Sequence, residues 1–357
     1  MDADTLQSRA DRLRASSRYA DAVSLSKQAL ALFKRKKNSE GRLSAALSVA
    51  HDLRMAGDFT NALKYYQDSL RIARTLKDRI ASADALSGMG LSLRALGHWS
   101  ECLKHLGTAL SIYEAENDRE GIAFIRWSQG GALRVKGDIA GAIGSFRSAL
   151  RIYQDMKNPQ AQGYCLCGLG GANRIAGRFR ESLRSYRSAN KLFTRIGDSF
   201  GTAYSYCGIG NALRMTDHRH DAMNYFRSAL RIYKRIGDVV SSSYTLWSMG
   251  MLSVMEKKLA AAVSYFERAQ ENFRRTKDIR GTCYCHIGMA QVAVLRGQGP
   301  RARKLLSHAA AVGTQWRFAV ERCHALQLMM LLDDKAVSCY RNLGLRLHCD
   351  SFPCNIP

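Results

Sequence analysis

Steps of 40 residues from Ala22 reach Ala62, Cys102, Ala142, Ser182, Ala222, Ala262 and Ala302, a small side chain every time, with no insertion between them. Self-similarity at one fixed offset means that one structural unit is copied along the chain. The fold must then be built by stacking, each unit burying its apolar face against its neighbours. Within a unit the apolar residues recur at helical spacing twice, with a short turn between, as in GTAYSYCGIGNALRM followed by HDAMNYFRSALRIYKRI. Each unit is a helical hairpin, and the fold class is all-α.

The punctuation repeats at the same offset. Gly57, Gly97, Gly137, Gly177 and Gly297 stand where the first helix of a hairpin ends, a place that favours a residue free to take positive φ; Asp217 and Lys257 break that rule. Asn38, Asp78, Asp118, Asn158, Asp198, Asp238 and Asp278 stand between units, and all are residue types that cap a helix by accepting hydrogen bonds from its first-turn amides. Small residues at Gly90, Gly130, Gly170, Gly210 and Gly250 in the first helices allow close packing against Tyr66, Leu106, Phe146, Tyr186, Phe226, Phe266 and Leu306 in the second.

These features resemble the tetratricopeptide repeat (TPR) family. The family's order of small residue, Gly-containing turn, aromatic, small residue, large residue and Ala is found as Gly90, Gly97, Trp99, Cys102, Leu106 and Ala109, and again as Gly170, Gly177, Phe179, Ser182, Tyr186 and Ala189. The repeat of 40 residues exceeds the family's commoner length of about 34 and is similar to the variant in Pins-type adaptors and kinesin light chains. The resemblance implies a right-handed superhelical α-solenoid of about eight TPR hairpins. The units run approximately 1–37, 38–77, 78–117, 118–157, 158–197, 198–237, 238–277 and 278–317, followed by a capping helix over 318–334 and a C-terminal tail over 335–357.

The resemblance also implies a concave groove, lined by the first helix of each hairpin, that holds a peptide. Carried onto this chain, Arg54, Arg94, Arg134, Arg174 and Arg214 occupy one groove position in five successive units, a ladder with rungs about 10 Å apart at ordinary helix-packing distances. Like charges in a concavity repel unless an anion offsets them, which points to an acidic partner. Snorkelling of Arg over apolar neighbours is the alternative. Asn211 is placed to bond a ligand backbone, Tyr164, Tyr204 and Trp127 to stack on a ligand or pack between hairpins, and Trp247 with Met251 to seat an apolar anchor or to lie beneath the chain's own tail.

Composition sets the remaining expectations. Lys and Arg number 54 against 30 Asp and Glu, a net charge of +24, which favours an acidic partner of any kind. The amino terminus lacks the apolar stretch of a secretory signal, and ten cysteines without a disulfide-framework spacing suggest thiols in a reducing, cytoplasmic setting with no membrane anchor. Gly168 with Gly170 and Gly208 with Gly210 imitate a nucleotide loop but follow no strand. Cys165 with Cys167 and Cys283 with Cys285 lack the spacing of a zinc site, and His218, His220 and Asp221 cluster at a solvated turn. The expected function is a non-enzymatic adaptor, without cofactor, that binds an acidic, partly apolar peptide segment. Polyanion or nucleic-acid binding through the basic surface is the second reading, and a homo-oligomer sealed by the C-terminal groove the third.

Overall fold

Local chemistry sets the helix boundaries. In the computed structural model, which describes residues 2–16, 18–333 and 339–357, every one of the seven inter-unit Asn and Asp side chains accepts a hydrogen bond from the amide three residues on, at 2.7–3.0 Å. Each starts a first helix. Where that helix ends, Gly57, Gly97, Gly137, Gly177 and Gly297 take positive φ, and Asp217 (φ 64°) and Lys257 (φ 58°) adopt the same left-handed conformation without being glycine. The turn is thus kept at the two positions that break the sequence rule, at some steric cost to those residues.

The chain divides into two compact units, Met1–Ser128 and Gln129–Pro357. The first contains α1 (Ala3–Ala15), α2 (Tyr19–Arg35), α3 (Ser39–Met55), α4 (Phe59–Leu76), α5 (Arg79–Ala95) and α6 (Trp99–Ala115), and the division falls inside α7 (Arg119–Lys136). The second contains α8 (Ile139–Asp155), α9 (Pro159–Ile175), α10 (Phe179–Ile196), α11 (Ser199–Met215), α12 (Arg219–Ile236) and α13 (Val239–Met255). It continues through α14 (Leu259–Arg275), α15 (Ile279–Leu295), α16 (Gly299–Gln315), α17 (Ala319–Leu332) and a short α18 (Cys339–Asn342). No strand occurs among the described residues, and the architecture is a helical-repeat α-solenoid. The expected boundary between capping helix and tail, at 334 and 335, lies outside the described residues.

In the second unit α9 packs on α11, α11 on α13, α13 on α15 and α15 on α17, in addition to the contacts each helix makes with its neighbours in sequence. Helices that touch across a whole repeat lie on the inner, tighter side of a stack, so the first helix of each hairpin forms the inner face.

Two aromatic layers hold the hairpins together. Tyr186, Phe226 and Phe266 are buried against backbone that only glycine leaves open: a Cβ on Gly208 would lie 2.1 Å from the Tyr186 ring, and one on Gly250 2.5 Å from Phe266. The other layer, Phe33 and Tyr113 in the first unit and Tyr153, Phe193, Tyr233 and Phe273 in the second, sits near the end of the second helices and is equally buried.

Candidate functional site

In the first unit the groove-position arginines lean on neighbouring rings. Arg54 Nη2 lies 3.4 Å from His51 Nδ1, and Arg94 sits 5.9 Å from the centre of the half-buried Trp127 ring, itself 5.9 Å from Phe124. Burial first, and the Arg54 charge second, push the His51 pKa down to about 3. The ring therefore stays neutral at physiological pH.

The second unit brings Arg134, Arg174 and Arg214 to one inner face with little to neutralise them. Arg134 Nε, Arg174 Nε and Nη1, and Arg214 Nε are buried without a hydrogen-bond partner. The Arg174 charge is felt by Arg214 on α11, Tyr284 on α15 and His324 on α17, which places it centrally on that face. Arg214 is only 1% exposed, and burial, followed by repulsion from Arg174, lowers its pKa to about 9. Asn211 serves Arg214: its Oδ1 accepts from Arg214 Nη2 at 3.3 Å while its Nδ2 donates to the Cys207 carbonyl at 3.1 Å.

The aromatic candidates tie hairpins together. The half-buried Tyr164 packs its ring 4.8 Å from Phe193 and donates its hydroxyl to Asp198, the cap of the next unit, at 2.9 Å. Tyr204 stacks on Phe200 at 6.0 Å. Trp247 donates from Nε1 to the Tyr284 carbonyl at 2.8 Å, and Met251 is wholly buried.

Across this inner face runs the chain's own C-terminal tail. The Arg346 amide donates to the Ala176 carbonyl at the end of α9 (3.2 Å), and the Cys349 carbonyl accepts from Gln327 on α17 (3.3 Å). Gln291 on α15 then clasps Cys354 from both sides, its Oε1 accepting the Cys354 amide at 2.6 Å and its Nε2 donating to the Cys354 carbonyl at 3.0 Å. Arg214 donates to the Asn355 side chain through Nη1 and to the Ile356 carbonyl at 2.9 Å through Nη2. The Arg214 carbonyl in turn accepts from Asn355 Nδ2 at 2.9 Å. Leu345, Cys349, Cys354 and Ile356 are each no more than 5% exposed. The groove of this unit thus holds a peptide segment by its main chain, the mode open to a carboxamide that offers one donor and one acceptor. A tail lying over the groove was among the sequence expectations for Trp247 and Met251; the two bonds from Gln291 to Cys354 were not.

A family profile described as tetratricopeptide repeat matches residues 2–75 and 162–235. Those two stretches of the chain carry tetratricopeptide repeats. This TPR chain is similar in fold to the Rap conjugation gene regulator of the plasmid pLS20 in complex with the Phr* peptide (TM-score 0.68, 11% identity, covering 88% of this chain and 96% of that one). It is similar also to a Rap protein complexed with competence and sporulation factor (TM-score 0.63, 13% identity, 93% and 97% covered). A third similar structure is NprR in complex with its cognate peptide NprX (TM-score 0.61, 14% identity, 90% and 98% covered). No curated protein sequence matches the TPR chain significantly.

The expectation of thiols throughout is corrected in the C-terminal region of the TPR chain. Cys323 is bridged to Cys339 and Cys349 to Cys354, with Cα atoms 5.6 and 5.3 Å apart, because the fold brings together residues whose sequence spacing signals no framework. The remaining six cysteines are free. Burial pushes Cys165 and Cys283 up to about 12, which makes them poor nucleophiles. Among the described residues no group of three or more His, Cys, Asp or Glu side chains is arranged to hold a metal ion, and no helix is long and apolar enough to cross a membrane.

Proposed function

We propose that this TPR protein is a non-enzymatic adaptor whose C-terminal unit binds an extended peptide segment of a partner protein, acidic in one part and apolar in another. The observation that carries the reading is the tail itself: Gln291 and Arg214 already hold a stretch of polypeptide through its backbone groups. The Phr* and NprX complexes, similar in fold, each hold a peptide. The acidic preference rests on Arg134 and Arg174, whose buried N–H groups lack acceptors, and on the Arg174 charge, which disfavours the protonated form of Arg214. A carboxylate there supplies both the acceptors and the counter-charge, and each charged hydrogen bond contributes about 1.5–3 kcal/mol.

The test is an affinity capture from cell lysate, with and without nuclease, comparing the wild type with Arg134→Glu/Arg174→Glu. Nuclease-resistant partners are expected on the wild type, with their affinity reduced by about ten-fold or more in the variant. Partners retained equally by the variant would remove the arginines from the site, and partners lost with nuclease would make nucleic acid the ligand.

A further inference from the structure

The last residues of the tail lie along a defined path. Cys349 meets Gln327 on α17, Cys354 meets Gln291 on α15, and Asn355 with Ile356 meets Arg214 on α11. The chain therefore advances from α17 past α15 to α11. In that direction the next two groove arginines are Arg174 on α9 and Arg134 on α7. Both carry buried N–H groups without acceptors.

The two ends of the groove differ in what they ask of a ligand. At the α15 and α11 end Gln291 and the Arg214 Nη1 and Nη2 groups bond backbone and one neutral carboxamide of the tail, leaving only Arg214 Nε without a partner. At the α9 end they are cationic donors, and nothing that the tail offers them pairs with them. Arg214 feels this imbalance, since among the charges acting on it Arg174 disfavours its protonated form. The Cys349–Cys354 bridge closes the tail on itself just before the segment that reaches Arg214, holding that segment as a compact plug.

We infer that the tail is a stand-in for the partner peptide: it occupies the partner's own backbone subsites on Gln291 and Arg214 in cis. The partner displaces it by continuing past the position of Ile356 with acidic residues that reach Arg174 and Arg134. This rests on the peptide-binding reading and adds to it a ligand order, a segment held by its backbone followed by an acidic one, and a competition that every ligand must win. Because the tail belongs to the same chain, its effective concentration at the groove is high, on the order of millimolar for a tethered segment. A peptide that merely copies the tail therefore competes poorly, and the acidic continuation is what tips the exchange.

The experiment uses the full chain and two fluorescent peptides read by anisotropy. One copies residues 349–357 with its disulfide closed; the other adds Asp-Glu-Asp-Glu at its C-terminus. The extended peptide is expected to bind the wild type at least ten-fold more tightly than the plain copy, and Arg174→Gln to erase most of that difference. An Asn355→Ala/Ile356→Ala chain, whose tail grips less well, is expected to bind both peptides more tightly by a similar factor. Equal affinities for the two peptides would overturn the ligand order. Unchanged affinity in the tail variant would overturn the competition, while leaving the lysate result with Arg134→Glu/Arg174→Glu standing. A peptide of the same composition with the Cys-Asn-Ile order scrambled should bind at least ten-fold more weakly than the extended one; equal binding would reduce the interaction to unspecific charge attraction and overturn the proposal.

Discussion

Replacing Arg280 by Met is expected to destabilise the C-terminal unit by about 3–5 kcal/mol, because it strands the carboxylate of Glu321 in the interior. Glu321 is wholly buried on α17. Arg280 on α15 donates to its Oε1 from Nε at 2.7 Å and lies 2.5 Å from it through Nη2. Burial, the largest single influence, raises the Glu321 pKa, but the Arg280 charge, the Tyr284 hydroxyl and the other groups around the carboxylate together outweigh it and the net shift is downward. A carboxyl with a depressed folded pKa contributes stability that is present above its unfolded value and lost as pH falls through the folded one. His324, beside Glu321, adds to the effect from a different direction. Its ring is buried, with Nδ1 2.8 Å from the Tyr340 hydroxyl, and burial lowers its pKa to about 4. The Glu321 charge raises that pKa and the Arg280 and Arg174 charges lower it, so the neutral ring is kept mainly by desolvation. Between the ordinary histidine value of 6.5 and about 4 the unfolded chain takes up a proton that the folded chain refuses. The corresponding loss of stability is about 3 kcal/mol. Denaturant titrations of the wild type should therefore show stability falling steadily from pH 7 to 4. Glu321→Gln paired with Arg280→Met should recover part of the loss, since removing both charges leaves none unpaired.

Phe226→Ala is expected to cost a similar amount, about 3–5 kcal/mol, through a cavity instead of a charge. Phe226 on α12 is fully buried and clusters with Ile209 and Leu213 on α11 and with Met249 and Leu252 on α13. Its ring fills the space that Gly210 leaves open, where a Cβ would approach within 2.6 Å. Truncation thus loosens the two helices that carry Arg214 and Trp247, and in a repeat array the damage spreads through nearest-neighbour interfaces. Chemical denaturation followed by tryptophan fluorescence checks it. Phe226→Leu, which keeps most of the volume, should lose less than half as much as Phe226→Ala; equal losses would point to something other than packing.

The parts of this fold legible in the sequence are those decided within a few residues. The seven Asn and Asp caps could be named because capping is an interaction between a side chain and an amide three residues away. The glycines of the first helices could be named because a missing Cβ leaves a regular gap at a regular spacing. Asp217 and Lys257 looked like exceptions because residue type reports preference, whereas the tertiary stack imposes the left-handed turn on whatever residue stands there.

The site was legible only in part, and for a physical reason. The arginine ladder is periodic and showed itself, but the residue that clasps the tail most fully, Gln291, stands alone among Gly131, Gly171, Asn211 and Met251 at its groove position. Its partner, Cys354, lies 63 residues away in sequence, and Ile356 lies 142 residues from Arg214. The tail has no period, so no pattern could disclose where it lands. The same holds for the Cys323–Cys339 disulfide, which ties α17 to the start of α18.

Amide hydrogen exchange across residues 345–357 of the full chain tests the central claim, that this groove holds a peptide by its backbone, most directly. The Cys354 amide, which donates to Gln291 Oε1 at 2.6 Å, should exchange about ten-fold or more slowly than in a free peptide. That protection should vanish in Gln291→Ala, while the Arg346 amide, bonded to the Ala176 carbonyl, keeps its own. A Cys354 amide that exchanges at the free-peptide rate in the wild type would contradict the account.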